Sequence, residues 1–243
     1  MHKQKSLPQE QLLGLFINGR FFSHILCTPV DVKELTIGWL FTQGYIAGTD
    51  DINSLGVCDG VTDISVSLRT GFPSQPPKYR PVATTGCAGG QVNPAEYFKD
   101  MEKLTSSLKV SGSCLPAVMS AMFRDLASRG SMSGMHCASL ASGNNFTDLL
   151  VGHDVGRHNA VDKVIGAGLL RGIDFGSAVL ATSGRVSSDM VLKAMSVGVP
   201  VIVSQRSVTT LAAAIAESVG IAIVGRLNKP DRIILGQTDR ITD

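Results

Sequence analysis

The sequence predicts an α/β protein, α+β overall, in which a smaller β-rich N-terminal subdomain precedes a regular α/β domain. After residue 103, short β-branched runs alternate with helical patterns of about ten to fifteen residues, which is typical of βαβ units. Before residue 80, the chain instead shows a hairpin signal, one amphipathic helix and a strand of alternating polarity. We therefore predict a β-rich subdomain over 1–80, a connection over 81–102 and the α/β domain over 103–243.

The N-terminal subdomain is predicted to begin with a β-hairpin. Asn18-Gly19 separates LLGLFIN from RFFSHILC, and this dipeptide between two apolar runs favours a two-residue turn. A helix is predicted to follow, with Thr28 as its cap and Pro29 in its first position. Residues 61–69 alternate apolar and polar side chains, which predicts a half-buried strand.

The α/β domain is predicted to alternate helices and strands. An apolar stripe places a helix over 115–130, and two strands flank a Ser-Gly-Asn-Asn turn within 137–152. Further helices begin near Arg157, Ser187 and Ser207, and each is followed by a short apolar strand. Because strands joined through helices run parallel, we predict a mainly parallel sheet that is covered on both faces.

Composition and charge exclude several function classes. The formal net charge is +2 and no run of lysines or arginines occurs, so nothing indicates a nucleic-acid partner. The longest apolar stretch, residues 211–225, contains Glu217 and is too short to span a membrane. The five cysteines are odd in number and widely spaced, and no secretory signal is visible. We therefore expect a reduced, cytoplasmic protein.

Loops that follow the predicted strands of the α/β domain carry arginines. These residues are Arg157, Arg185, Arg206 and Arg226. In open α/β sheets, ligands bind beyond the carboxyl ends of the strands, and helix N-termini with guanidinium groups suit phosphate oxygens. Four such loops predict a phosphate-bearing ligand, whereas one arginine alone would more simply cap a surface. Neither GxGxxG nor GxxxxGK[ST] occurs, which disfavours ordinary NAD binding and NTP hydrolysis.

Two histidines invite a chemical interpretation. Asp154 and His158 suit general acid–base chemistry, but the alternative is that Asp154 caps the following helix and His158 lies in its first turn. His136 beside Cys137 suggests a metal, yet a zinc deaminase needs H-x-E and P-C-x-x-C, and the sequence contains neither motif. We therefore expect no metal bound by protein side chains alone.

One cysteine has an unusual setting. Cys87 lies in TTGCAGG, residues 84–90, which follows a segment with four prolines between residues 71 and 81. Most free cysteines behave as small buried apolar residues. No apolar residue larger than alanine lies within three positions of Cys87, so the pattern indicates a thiol on a glycine-rich loop.

Longer segments resemble a known family. The resemblance rests on GHDVGRHNAVDKVIG, TSGRVSSDMVLKAMSVGVPV and SVTTLAAAIAESVG, which occur in this order. The N-terminal part adds INGR and CTPVDVKELTIGWLFTQGYI, and MSGMHCASL stands where the family has a TGG-x-H-x-A segment. Together these segments resemble the formate dehydrogenase accessory sulfurtransferases, the FdhD family, over about residues 12 to 236.

The resemblance implies a C-terminal cytidine-deaminase-like α/β/α sandwich without zinc chemistry. It implies a homodimeric sulfur carrier that receives sulfur from a cysteine desulfurase as a persulfide on Cys87. The sulfur then passes to the molybdenum (or tungsten) bis-molybdopterin guanine dinucleotide cofactor before that cofactor enters formate dehydrogenase. Two alternatives are a molybdenum-cofactor chaperone without sulfur transfer and a deaminase-fold enzyme acting on a nucleotide. The absent zinc ligands disfavour the second.

The resemblance and the loop pattern together give a predicted cofactor-binding set. Its members are Arg157, His158, Ser183, Arg185, Arg226, Leu227, Asn228, Lys229, Pro230, Asp231 and Arg232. The chain departs from the family at Gly90, which replaces the second cysteine of a CxxC loop, at His153, which replaces a glutamate, and at Arg226, which replaces an aromatic residue. Without a second loop thiol, sulfur release requires an external thiol, electrons from the metal centre, or another cysteine such as Cys137.

Overall fold

The structure is a computed structural model that describes residues 7–73, 101–128 and 134–243. Cys87 and Gly90 lie outside the described residues. Within the described ranges the chain forms a four-stranded sheet, a six-stranded sheet, a two-stranded pair and five α-helices. This arrangement confirms the predicted α/β class with a smaller β-rich N-terminal part, while the exact domain boundaries stay predictions. None of the helices in the described ranges is long and apolar enough to cross a membrane.

The N-terminal sheet begins with the predicted hairpin. Strands β1 (Gln11–Ile17) and β2 (Arg20–Cys27) pair antiparallel. Asn18 and Gly19 between them both take positive φ angles, 48° and 76°, which a tight turn of this kind requires.

Two further strands complete this sheet in the order β2-β1-β4-β3. β4 (Asp63–Leu68) is the predicted alternating strand, and it pairs parallel with β1. The sequence does not predict β3 (Ile52–Val57), because this edge strand fully buries none of its side chains and so has no apolar alternation to detect.

Helix α1 (Val32–Thr42) starts later than predicted. The prediction of Thr28 as its cap is wrong, because Asp31 precedes the helix with a left-handed φ of 54°. The backbone N–H of Thr28 instead donates to Asp154 Oδ2 at 3.0 Å. Thr28 therefore takes part in a tertiary contact with the larger domain instead of capping α1.

The large sheet has the order β11-β10-β9-β8-β6-β7. Its strands are β6 (His136–Ser142), β7 (Asp148–Asp154), β8 (Val179–Thr182), β9 (Val201–Ser204), β10 (Ala222–Gly225) and β11 (Ile233–Gly236). The prediction of a mainly parallel sheet is wrong: β8–β9 and β9–β10 are parallel, whereas the other three neighbouring pairs are antiparallel. Short connections without an α-helix join β6 to β7 and β10 to β11, so the chain reverses its direction at each of them.

Helices cover both faces of the large sheet, as predicted. They are α2 (Leu115–Ser128), α3 (Arg157–Leu170), α4 (Ser188–Val197) and α5 (Thr210–Val219). Alternate side chains of each strand face opposite sides, so Ala138 and Leu140 pack with α3 to α5, whereas Cys137 and Ala141 pack with α2. The small pair of β5 (Val110–Ser111) and β12 (Ile241–Thr242) lies beside the α2 cluster.

Helices α1 and α3 cross at two glycines. A Cβ added to Gly38 would lie 1.8 Å from the carbonyl oxygen of Asp162, and one added to Gly166 would lie 1.9 Å from that of Glu34. No side chain fits in such a contact, so both positions require glycine. The crossing holds the N-terminal sheet, on which α1 packs, against the larger domain.

Candidate functional site

Four strand ends meet at one edge of the large sheet. β7, β8, β9 and β10 run in the same direction, because β6 lies antiparallel between β7 and β8. They end at Asp154, Thr182, Ser204 and Gly225, and β6 begins at the same edge with His136. We call this edge, with residues 155–158, 183–187, 205–209 and 226–232, the rim. The prediction that the arginine-bearing loops share one edge is confirmed.

A buried carboxylate organises the start of α3. Asp154 Oδ2 accepts the backbone N–H of Thr28 at 3.0 Å and pairs with Lys163 Nζ at 2.7 Å. Asp154 Oδ1 accepts the backbone N–H of Gly156 at 2.8 Å and the side-chain amide of Asn159 at 3.0 Å. We call Thr28, Asp154, Asn159 and Lys163 the hub. Both carboxylate oxygens are occupied within the hub, so Asp154 is structural rather than a general acid or base.

The hub also joins the N-terminal subdomain to the larger domain. Asn159 Nδ2 donates to the Leu26 carbonyl at 2.7 Å, and Lys163 Nζ donates to the Thr28 carbonyl at 3.0 Å. The side chains of Lys163 and Asp154 are 1% and 0% exposed, so this ion pair is fully buried. The end of β2 is therefore tied directly to the first turns of α3.

A second buried ion pair lies further along α3. Lys193 Nζ donates to the two carboxylate oxygens of Asp162 at 2.7 and 2.9 Å, and to Thr42 Oγ1 at 3.1 Å. This pair links α1, α3 and α4. Four of the chemically suggestive residues in DVGRHNAVDK therefore serve the fold: Asp154, Asn159, Asp162 and Lys163.

Arg157 and His158 occupy the first two positions of α3. Unlike the four residues above, each has a buried side-chain nitrogen without a hydrogen-bond partner in the described residues. Arg157 Nε and His158 Nε2 are buried without a hydrogen-bond partner among the described residues, as is Ser187 Oγ before α4. The stem of Arg157 packs on Gly184, where an added Cβ would lie 3.0 Å from its Cβ and Cδ. Buried polar atoms are nearly always hydrogen-bonded, so these three atoms mark a place that suits a ligand.

His136 reaches the rim at the start of β6. Its Nδ1 lies 3.4 Å from Ser183 Oγ, and Ser183 Oγ accepts the backbone N–H of Cys137 at 2.9 Å. The sequence suggested His136 only as a metal ligand, although the turn predicted within 137–152 already implies that β6 begins beside the end of β7. Across the described ranges, no group of three or more His, Cys, Asp or Glu side chains could hold a metal ion.

Both rim histidines are neutral at neutral pH. Burial, and then the positive charges of Arg157 and Lys193, lower the pKa of His158 to about 4. Burial, and then Arg157 and Arg206, also lower the pKa of His136. Each neutral ring offers one N–H donor and one acceptor nitrogen.

The 226–232 segment is mostly exposed. Arg226 adopts a left-handed φ of 55°, its N–H donates to the Arg206 carbonyl at 3.0 Å, and its guanidinium pairs with Asp231 at 2.5 Å. Leu227 is buried in the core with α2, so its side chain is not available to a ligand. The exposed members of the predicted set are Arg185, Arg226, Asn228, Lys229, Pro230, Asp231 and Arg232. Their contact with a ligand stays a prediction.

The cysteines that the structure describes differ in accessibility. Cys27 and Cys137 are fully buried, and burial raises the pKa of each thiol to about 11. Burial also raises the pKa of the half-buried Cys114. Cys58 is exposed, and its Sγ accepts the backbone N–H of Asp63 at 3.0 Å. Because the thiolate is the reactive form, Cys27, Cys114 and Cys137 are poor nucleophiles.

Comparison with known proteins decides the family. The profile described as the FdhD/NarQ family matches residues 8–242, nearly the whole chain. The chain belongs to the FdhD/NarQ family. The identification made from the sequence motifs is confirmed by this match.

Individual FdhD/NarQ relatives agree over most of their length. The sulfur carrier protein FdhD of Halalkalibacterium halodurans is 30% identical over 96% of this chain and 90% of the relative. The proteins of the same name from Geobacillus kaustophilus and Staphylococcus aureus are each 31% identical, over 93% and 95% of this chain and 86% and 87% of the relatives. A crystal structure from Desulfotalea psychrophila, described provisionally as a formate dehydrogenase accessory protein, matches with a TM-score of 0.69. It is 26% identical, and the match covers 96% of this chain and 89% of that chain.

Proposed function

We propose that this FdhD/NarQ protein is a cytoplasmic sulfur carrier for the formate dehydrogenase cofactor. It takes sulfur from a cysteine desulfurase and delivers it to the molybdenum bis-molybdopterin guanine dinucleotide cofactor before that cofactor enters formate dehydrogenase. Family membership and the name sulfur carrier protein among its relatives support the carrier role. The desulfurase, the cofactor and the persulfide are parts of the proposal.

The state of the other thiols is the observation that carries this proposal. Cys27 and Cys137 are buried and have a pKa of about 11, and Cys114 is half-buried with a raised pKa. A carrier thiol must be accessible as a thiolate, first to the desulfurase and then to the cofactor, and these three thiols do not meet that requirement. Cys58 and Cys87 remain, and Cys87 is the one that matches the family's persulfide loop.

Loading is a thiol–disulfide type of exchange. The Cys87 thiolate attacks the terminal sulfur of the desulfurase persulfide, the sulfur–sulfur bond of that persulfide breaks, and the desulfurase cysteine leaves as a thiolate. Cys87 then carries the sulfur as a persulfide. No net oxidation or reduction occurs in this step, because one sulfur–sulfur bond replaces another.

The proposal assigns the phosphate-bearing part of the cofactor to the rim. Arg157 and Arg206 supply positive charge there, and the buried atoms Arg157 Nε, His158 Nε2 and Ser187 Oγ have no protein partner in the described residues. Guanidinium groups and neutral ring N–H groups are suitable donors to diphosphate oxygens. In the proposal the rim therefore holds the dinucleotide end of the cargo.

Release of the sulfur requires electrons from outside the loop. Delivery of the terminal sulfur as sulfide consumes two electrons, and Gly90 cannot supply a second thiol to form a disulfide with Cys87. Cys137 is a poor substitute, because it is fully buried between the sheet and α2. We therefore assign the electrons to an external thiol or to the metal centre.

The test is to map the persulfide after incubation with a cysteine desulfurase and cysteine. Mass spectrometry should find the extra sulfur on Cys87 in the wild type and in Cys58→Ser, and on no cysteine in Cys87→Ser. In cells, Cys87→Ser should abolish formate dehydrogenase activity, whereas the matched variant Cys58→Ser should retain it. Full activity of Cys87→Ser without any persulfide would overturn sulfur transfer and favour a cofactor chaperone.

A further inference from the structure

The two rim histidines lie in a setting that suits a change of protonation. His158 Nε2 is buried and unpartnered among the described residues, as is Nε of the preceding residue, Arg157. His136 Nδ1 lies near the hydroxyl of Ser183, on the neighbouring strand end. Both residues therefore lie at the edge of the sheet where the arginine-bearing loops converge.

The charges that face His158 are mainly positive. Arg157 on the same helix, Lys193 on α4 and His136 on β6 lower the pKa of His158. Asp189, also on α4, raises it. Lys193 is itself paired with Asp162. Burial and this surplus of positive charge disfavour a protonated ring in the free protein.

His136 has a similar surrounding. Arg157 at the start of α3 and Arg206 in the loop after β9 contribute positive charge, and the buried Asp154, at the end of β7, is the opposing charge. Asp154 is already occupied by Lys163 at 2.7 Å. An anionic ligand among these arginines would place a negative charge near both rings. A nearby negative charge favours the protonated form of a histidine.

We propose that His136 and His158 take up protons when a phosphate-bearing ligand enters the rim, so that binding is coupled to pH. The inference rests on the proposed function, since it concerns the site assigned there to the dinucleotide. It adds His136, and it makes His158 an acid-dependent binding residue rather than a passive donor. Protonation turns the acceptor nitrogen of each ring into a second donor for the phosphate oxygens.

Proton uptake on binding determines the direction in which ligand affinity changes with pH. The free ring of His158 has a pKa of about 4, and a bound anion raises it. Between the free and bound values the complex holds more protons than the separate partners, so affinity falls as pH rises. The slope approaches about tenfold per pH unit for each proton, and affinity is flat above the bound pKa.

The probe must not titrate in the same range. A terminal phosphate has a second pKa of about 6, which would add its own pH dependence. Diguanosine diphosphate is suitable, because both of its phosphates are esterified and keep a constant charge. Calorimetric titration in two buffers of different ionisation enthalpy then counts the protons taken up per ligand.

We expect the wild type to take up about half a proton or more per ligand near pH 6, and close to none near pH 8. His136→Gln and His158→Gln should each reduce the uptake, and the double variant should lose it. His24→Gln is the matched control, because His24 is exposed on β2 and belongs to the other sheet. It should match the wild type.

Either of two results in the titration would overturn the inference when the ligand binds: no proton uptake by the wild type at any pH, or equal uptake in the double variant. Failure of diguanosine diphosphate to bind overturns it as well, and the persulfide assay on Cys87 then decides separately whether sulfur transfer survives. Proton NMR of the wild type alone gives a check that needs no folded variant. Ligand should raise the titration midpoints of two histidine rings.

Discussion

The hub and the rim are built from one short motif, yet they use their polar groups in opposite ways. In the hub, Asp154 accepts from three donors and pairs with Lys163, so its charge is satisfied inside the protein. In the rim, Arg157 and His158 are separated from Asp154 by only a few residues and leave buried nitrogen atoms unpartnered within the described ranges. The short stretch from the end of β7 into α3 therefore contains both the contacts that join the two parts of the protein and buried polar atoms without a partner in the described residues.

The difference shows that the polar residues of one motif fall into two groups, those that pair with one another and those that have no partner in the described residues. Buried polar groups that satisfy one another stabilise a unique arrangement, and removing one member leaves its partner buried and unpaired. Buried polar groups without partners cost stability and persist where a ligand completes them. Replacement of hub residues should therefore change stability, whereas replacement of rim residues should change binding.

The largest expected effect follows from breaking the hub. Lys163→Met removes the cation that faces Asp154 and leaves a buried carboxylate unpaired, so the free energy of unfolding should fall by about 3–5 kcal/mol. Urea denaturation measures this change. Lys33→Met is the matched control, because Lys33 is exposed on α1, and it should stay within about 0.5 kcal/mol of the wild type. A loss below about 1 kcal/mol for Lys163→Met would contradict the buried role of the ion pair.

A smaller effect should appear in the pH dependence of stability. His158 has a pKa of about 4 in the folded protein, against about 6.5 when unfolded, so the unfolded chain binds the additional proton between these values. Stability that is present above about pH 6.5 is therefore lost as the pH falls toward 4, by about 2 kcal/mol after allowance for the exposed part of the ring.

His158→Gln should remove this part of the acid loss. The measurement is the difference in unfolding free energy between variant and wild type, taken at several pH values from about 7 down to about 4.5. The difference should shift in favour of the variant as the pH falls. A constant difference across this range would show that His158 titrates alike in both states. His24→Gln provides the baseline from an exposed ring.

The smallest expected change in free energy concerns binding at the rim. Arg157→Met should leave the unfolding free energy within about 0.5 kcal/mol of the wild type, because Arg157 Nε makes no hydrogen bond among the described residues. The same variant should bind diguanosine diphosphate about tenfold more weakly, which corresponds to about 1.4 kcal/mol.

Arg171→Met, at the other end of α3, is the control for this variant. It removes an exposed arginine directly after the last residue of the same helix and should bind the ligand like the wild type. Equal binding by the two variants would remove Arg157 from the site. A large loss of stability in Arg157→Met would show that it belongs with the hub.

Much of the fold could be predicted because its signals are local. The turn at Asn18-Gly19, the alternating strand that ends at Leu68 and the helices of the α/β domain depend on residues close in sequence. Sheet direction is only partly local. The hairpin of β6 and β7 depends on a short turn, but the antiparallel pairing of β6 with β8 joins residues as distant in sequence as Ala138 and Thr182. The sequence therefore favoured a mainly parallel sheet, whereas three of the five neighbouring pairs are antiparallel.

The candidate site divides in the same way. The sequence by itself determined the family, the arginine at each of the four strand ends and the unusual setting of Cys87, because motifs and loop composition are written in consecutive residues. Only the tertiary structure decided that Asp154 and Lys163 belong to a buried hub, that Leu227 lies in the core, and that His136 joins His158 at the rim. Partners and burial arise from contacts between distant segments. The type of a residue therefore determines which interactions its side chain can make, and its neighbours in space determine whether the protein already satisfies them.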